Sequence, residues 1–199
     1  MILRILIIFF LSQQFLISQT DPSLVCPLKV GSEVPEVIIY DQDNNEIQLK
    51  ELASDTASVI IFYRGAWCGY CTKHLGELND IKGEIESLGY QIFGITIDQT
   101  SKLEESNNKA ESEIKVYSDA NTNAIQAFGL DWNVNDELFA KYKNEYKLDL
   151  EEWSGQNHHT LPVPAIYIIK DNIVKFQYAN PNHNTRLKAE TLLAMLKTI

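Results

Sequence analysis

The chain is short of cysteine, of positive charge and of long apolar runs, and each shortage removes a class of protein. Three cysteines in 199 residues are odd in number and too few for a disulfide scaffold. Seventeen lysines and arginines against 27 aspartates and glutamates leave a formal net charge of −10. That balance argues against a nucleic-acid backbone or an anionic membrane surface as the main partner. The charges are spread along the chain rather than gathered in a tail, which describes a solvated surface. No glycine-rich phosphate loop and no nucleotide fingerprint occur, so no cofactor is expected. No apolar run reaches the ~20 residues that a membrane-spanning helix needs.

What is present begins at the N-terminus. Arg4 precedes an apolar run from Ile5 to Leu11, then come polar Ser12 to Gln14 and Phe15-Leu16-Ile17-Ser18. A basic start, a short apolar stretch and a small residue form the pattern of a secretory signal peptide. The expectation is a signal peptide at residues 1–18, one domain over 19–199, and a secreted or periplasmic product with no stable membrane association after cleavage. An uncleaved anchor is the alternative, because Leu16 is not a small residue. The apolar share of 45% is that of an ordinary globular core, and the length suits one domain rather than two.

Residues 19–33 read as an extended lead-in. Val37 to Tyr40 is a short strand, Asp41 to Asn45 is turn chemistry, and Glu46 to Leu49 is its extended partner. Ser58 to Tyr63 is a continuous apolar run of strand length, the pattern of a strand buried on both faces. From Cys68 the period changes: Leu75, Leu78, Ile81, Ile85 and Leu88 mark one amphipathic helix, ended by Gly89. Tyr90 to Ile97 and Ile114 to Tyr117 read as strands, and Ser101 to Ala110 and Thr122 to Phe128 as helices. Asp136 to Tyr146 has helical period, whereas Glu151 to Thr160 has none and reads as loop. Ala165 to Ile169 and Ile173 to Tyr178 form a hairpin across Asp171-Asn172. A last helix runs from about Thr185 onward, with Leu187, Leu192, Leu193 and Leu196 inward. Alternating strands and helices imply a three-layer α/β/α sandwich with a mixed, mostly parallel central sheet.

The chemistry lies where the buried strand meets the helix, at Arg64-Gly65-Ala66-Trp67-Cys68-Gly69-Tyr70-Cys71. A cysteine in the first helical turn sits beside unpaired N–H groups and the positive end of the helix dipole, which stabilise its thiolate. Cys68 is therefore expected to attack a sulfur or a peroxide oxygen, and Cys71 to resolve the adduct as an internal disulfide. Arg64 is a second source of positive potential. Three plainer readings compete. A zinc half-site would need two more ligands from His74, His158, His159, His183 and Cys26, and only His158-His159 are paired, so no metal is expected. An inert disulfide across so short a loop stabilises little. Two buried, unreactive thiols are the third. The prolines of Leu161-Pro162-Val163-Pro164-Ala165 stand at a strand entrance. They are either a stiff loop or a cis Val163–Pro164 bond beside the cysteines that leaves the Val163 backbone free for a substrate.

FYRGAWCGYC, together with GQNHHTLPVPAIYII and the later Asn-Pro-Asn-His, resembles the peroxiredoxin-like branch of the AhpC/TSA family within the thioredoxin superfamily. The resemblance covers roughly residues 28 to 199. It implies a thioredoxin-like fold, antioxidant activity on hydroperoxides, and a redox-active disulfide recycled by a thioredoxin-like reductant. Thioredoxin-type exchange on protein disulfides is the alternative, and a non-catalytic binding module is disfavoured by the presence of both cysteines. Cys68 and Cys71 carry over as the catalytic pair, with Arg64, Trp67, Val163 and Pro164 as substrate-binding residues. The chain also departs from the family's Pro-x-x-x-Thr/Ser-x-x-Cys. Arg64 stands at the proline, Cys68 at the Thr/Ser and Cys71 at the cysteine, which would make Cys71 the attacking thiol. The family's later arginine falls near Pro164.

Overall fold

The computed structural model describes residues 19–199. The expected signal peptide at 1–18 lies outside the described residues. β1 (Ile38–Tyr40) and β2 (Glu46–Gln48) form a hairpin whose turn is tied by Asp41, its carboxylate accepting from the Asp43 and Asn45 N–H groups at 2.9 Å each. The chain then coils into α1 (Leu49–Asp55), which takes only Leu49 from the expected extended segment and was not foreseen beyond it; Leu49 and Ala53, one turn apart, are buried. β3 (Ala57–Tyr63) follows, buried along all but its first residue as its apolar run predicts.

The single helix expected from Cys68 to Leu88 is two, α2 (Gly69–Asn79) and α3 (Lys82–Ser87). Asn79 turns its side chain to the Glu113 N–H at 2.8 Å, and three-residue bonds such as Glu84 N–H to Ile81 O carry the chain across the break. That tight turn keeps the apolar phase, so Leu75, Leu78 and Ile85 stay buried, whereas Leu88 is exposed. β4 (Tyr90–Thr96), α4 (Leu103–Ala110), β5 (Lys115–Ser118) and α5 (Asn123–Ala127) follow close to expectation. Next come β6 (Asp131–Asn133), α6 (Asp136–Asn144), α7 (Leu150–Ser154) and β7 (Thr160–Pro162). β6 and β7 make a two-stranded ribbon, and α7 occupies part of the segment read as loop. Asp149 caps α7 through the Glu151 N–H. β8 (Ala165–Lys170) and β9 (Ile173–Ala179) form the expected hairpin, with Asp171 and Asn172 both at positive φ as a tight twisted turn requires. α8 (Ala189–Leu196) buries Leu192, Leu193 and Leu196.

The main sheet runs β2-β1-β5-β4-β3-β8-β9. Only β3–β4 and β4–β5 are parallel; the other pairs are antiparallel. The sheet is mixed as expected but not mostly parallel, because both flanks return as hairpins. One face packs under α2, α3, α4 and α8, the other under α1, α5 and α7, giving the expected sandwich of three layers. On the second face Phe62, Phe128 and Tyr167 meet with ring centroids 4.8, 5.9 and 4.9 Å apart. Each such aromatic contact contributes about 0.5–1.5 kcal/mol beyond burial, and these bind β3 to β8 directly below the cysteine pair.

Candidate active site

β3 delivers the chain to the site at its C-terminal end, and α2 begins there. Cys68 is the N-cap of α2, and the Cys71 N–H donates to the Cys68 carbonyl at 2.8 Å. Between strand and helix Gly65 takes φ +145°, and a Cβ on it would stand 2.3 Å from Trp67 Nε1 and 2.6 Å from Asp98 Oδ1. Only glycine fits there. Asp98, at the end of β4, accepts the Ala66 N–H through Oδ2 at 2.7 Å, which fixes the loop. Burial lifts its carboxyl to about 7. Its Oδ1 and the indole N–H of Trp67 are both buried without a partner.

Both thiols are free and buried, Cys68 5% exposed and Cys71 2%. Cys68 is drawn down to about 6, first by the hydrogen bond from Cys71 and then by the positive potential of Arg64 and Arg186. Cys71 moves the other way, pushed up by burial and by the neighbouring Cys68. The pair thus divides into a ready nucleophile and a protonated mate.

Cys68 opens onto a cleft of about 540 Å³. Its walls are mainly aromatic, from Trp67, Tyr70, Trp132, Tyr142 and Tyr146, and Val163 and Pro164 close one side. Arg64 and Lys141 line it, and among the described residues no carboxylate does. Arg64 is buried. Its Nη2 donates to the Tyr142 hydroxyl at 2.7 Å, and its guanidinium carbon stands 4.8 Å from the centre of the Trp67 ring. Cys71 is absent from the cleft wall. All six expected site residues, Arg64, Trp67, Cys68, Cys71, Val163 and Pro164, therefore gather at one place.

Two details of the proline segment differ from expectation. The described residues contain no cis peptide bond, so Val163–Pro164 is trans. The Val163 N–H is also not free, since it donates to Leu130 O at 2.8 Å, prolonging the β6–β7 ribbon. His158 and His159 point elsewhere: His158 Nε2 bonds Ala120 O, and His159 bonds Glu151 and stacks on Phe139. Cys26 is an exposed thiol away from the cleft.

Sequence reading gave no part in this site to Arg186 and Asp98, and weighed His74 only as a possible zinc ligand. Arg186, in the loop after β9, places Nη2 3.3 Å from Cys71 Sγ. His74, one turn after Cys71, bonds Leu187 O at 3.0 Å. Nothing local marks Arg186, whose contact with Cys71 spans 115 residues of sequence. Asp98 carried a faint signal, a carboxylate closing an otherwise apolar strand.

Known proteins match this arrangement. Among curated relatives, a putative peroxiredoxin of Haemophilus influenzae is 29% identical over 52% of this chain and 66% of its own length. Peroxiredoxin Bcp of Escherichia coli K12 is 23% identical over 67% and 92% respectively. The chain spans slightly less than two thirds of the Haemophilus protein and 63% of a peroxiredoxin of Schizosaccharomyces pombe. A thiol-disulfide oxidoreductase of Bacillus thuringiensis is 26% identical over 37% of this chain and 41% of its own. The fold superposes on reduced Prx3 of Vibrio vulnificus with a TM-score of 0.68, at 17% identity, over 85% of this chain and 99% of that one. For peroxidoxin BcpB of Mycobacterium tuberculosis the TM-score is 0.64, at 21% identity, over 86% and 98%. These likenesses show a thioredoxin-like fold. The sequence profile of the AhpC/TSA family matches residues 30–177, the span from the lead-in into β9 that holds the cysteine pair, Arg64 and most of the cleft wall, and on that match the chain belongs to the AhpC/TSA family.

Proposed function

We propose that the protein is a thiol-dependent peroxidase that reduces hydroperoxides through Cys68 and Cys71 and is recycled by a thioredoxin-like dithiol. The observation that carries this reading is the arrangement of the pair: Cys68, the N-cap of α2 with its thiol drawn down to about 6, faces the cleft, and Cys71, pushed up by burial, stands behind it. The Cys68 thiolate attacks the terminal peroxide oxygen. The O–O bond breaks, the alcohol leaves with a proton, and Cys68 becomes a sulfenic acid. Cys71 loses its proton and attacks the Cys68 sulfur. The S–O bond breaks, the oxygen departs as water, and a disulfide remains for the external dithiol to reduce. The approach to Cys68 favours it as attacker over Cys71, which the register of the family motif would choose. Aromatic walls and the lack of carboxylates suit a hydroperoxide with an apolar body.

Exchange with protein disulfides is disfavoured by the engaged Val163 N–H, since a guest strand has no free donor there. The test mixes reduced protein with hydrogen peroxide, cumene hydroperoxide and insulin, using the parent, Cys68→Ser and Cys71→Ser. The reading expects peroxide consumption in the parent, one oxidation and no turnover in Cys71→Ser, and none in Cys68→Ser. Insulin reduction without peroxide turnover discards it. Export is proposed on the Arg4 to Ser18 pattern alone, and sequencing the N-terminus of the mature protein tests that.

A further inference from the structure

The second step demands something that the first does not. Cys71 is buried among Leu75, Tyr63 and β8, and burial works against its ionisation. Yet Cys71 must give up a proton before it can attack the Cys68 sulfur. A compensating cation is needed at Cys71 itself, and the loop after β9 supplies one. Arg186 places Nη2 3.3 Å from Cys71 Sγ. Its Nη1 donates to the carbonyls of His183 and Thr185, so the guanidinium is aimed by its own loop. Its Nε is buried without a partner, a cost tolerated only if the group is held in place for another reason. The loop is in turn fastened to the helix that carries both cysteines. His74 lies on α2 one turn beyond Cys71, is buried, and bonds the carbonyl of Leu187, the residue after Arg186, at 3.0 Å. Leu187 O can only accept, so His74 Nε2 is the donor.

We propose that Arg186 is a catalytic residue for disulfide closure, the cation that readies the Cys71 sulfur to attack, and that His74 positions it by clamping the Arg186–Leu187 backbone to the cysteine-bearing helix. This rests on the assignment of Cys71 as resolver. Arg186 is not the arginine of the family pattern, which falls near Pro164; it reaches the sulfur from the loop after β9. The other ionisable groups around the sulfur are Cys68 and His74 on α2, Tyr63 on β3, Tyr178 on β9, and Arg64 and His183 on the flanking loops. Burial holds His74 and His183 near 4, so both are neutral at physiological pH and neither competes for the role. Tyr63 is driven further from ionisation by burial. Arg64 acts on Cys71 through its backbone N–H, while its guanidinium is turned to Tyr142 and Trp67. Arg186 is the charged side chain bonded to Cys71 among the described residues.

An aromatic disulfide reagent separates the two steps without any peroxide. In a Cys26→Ser background the Cys68 thiolate attacks the reagent, a Cys68–aryl disulfide forms, and one coloured arylthiolate leaves. Cys71 then loses its proton and attacks the Cys68 sulfur, the internal disulfide forms, and a second arylthiolate leaves. The expected result for Arg186→Gln is a second phase about tenfold or more slower at neutral pH, the size of one lost charge-assisted hydrogen bond, with the first phase slowed far less, since Arg186 acts on Cys68 less than Cys71 and Arg64 do. The pH midpoint of the second phase should rise by about one unit, and Arg186→Lys should restore part of the rate. His74→Ala should slow the same phase and shift the same midpoint, with recovery in His74→Gln. A second phase of parental speed and midpoint in Arg186→Gln overturns the proposal. So does an equal slowing of both phases, which would mark a general loss of packing. Because no peroxide is used, failure of the peroxidase reading leaves this outcome separately legible.

Discussion

Replacing Cys71 by alanine isolates the strongest pull on Cys68. The hydrogen bond from the Cys71 thiol is the largest influence lowering Cys68 to about 6. Hydrogen bonds to charged groups are worth about 1.5–3 kcal/mol, and one pKa unit is about 1.36 kcal/mol, so its loss lifts Cys68 by about one to two units. Arg64, Arg186 and the start of α2 remain and keep it below an ordinary thiol. For a rise of about two units, the ionised share at neutral pH falls from about nine tenths to about one tenth. The more basic thiolate is also the better nucleophile, with a logarithmic slope of about 0.4–0.5, so each ion attacks about six- to tenfold faster. The two effects nearly cancel at neutral pH. At about pH 9, where both proteins are mostly ionised, the variant should react several-fold faster than the parent. Thiolate ultraviolet absorbance against pH gives the midpoint, and the first phase with an aromatic disulfide gives the rates. A midpoint still near about 6, or a rate ratio identical at both pH values, refutes the account of Cys68.

Two further substitutions test the frame around the thiols. In Gly65→Ala the new methyl would collide with Trp67 Nε1 and Asp98 Oδ1 at 2.3 and 2.6 Å, on a backbone at φ +145°. Overpacking costs about 1–3 kcal/mol, and in a domain of this size each kcal/mol lowers Tm by about 2–4 °C, so a thermal melt should fall by roughly 2–12 °C. An unchanged Tm would contradict the close packing. Asp98→Asn keeps an acceptor for the Ala66 N–H while removing a carboxyl whose folded pKa is raised from 3.8 to about 7. A raised carboxyl stabilises the fold fully below the unfolded pKa, and that contribution is lost as pH rises toward the folded one. The variant should therefore gain on the parent between pH 3.8 and about 7 and hold a constant advantage above, to a ceiling of order a few kcal/mol. Urea unfolding across that range checks it, and a difference independent of pH rules out the buried acid.

Continuous apolar runs of strand length made β3, β4 and β8 legible, because they form strands covered on both faces. The hairpin at Asp171-Asn172 was legible from turn chemistry alone. The misses are short or non-local. α1, α7, β6 and β7 span only 7, 5, 3 and 3 residues, too few for a period to emerge. The break between α2 and α3 escaped notice because its tight turn preserves the spacing of Leu78 and Ile85. Sheet direction was misjudged because strands alternating with helices suggest parallel neighbours, and the return of β1 beside β5 is a tertiary fact. In the site, Cys68, Cys71, Arg64 and Trp67 are contiguous in sequence and were all found. Arg186, His74 and the engaged Val163 N–H depend on which loops meet, and no local pattern encodes that.

The two cysteines stand at the head of one helix, joined already through the Cys71 N–H and the Cys68 carbonyl. Farther along the same helix, Gly76 brings its backbone so near the Ala110 carbonyl that an added Cβ would lie 2.9 Å away. The helix is thus keyed to its neighbour, and the proposed disulfide between its two cysteines would form on a still scaffold. Amide hydrogen exchange along Gly69–Asn79 should accordingly be as slow in the oxidised protein as in the reduced one.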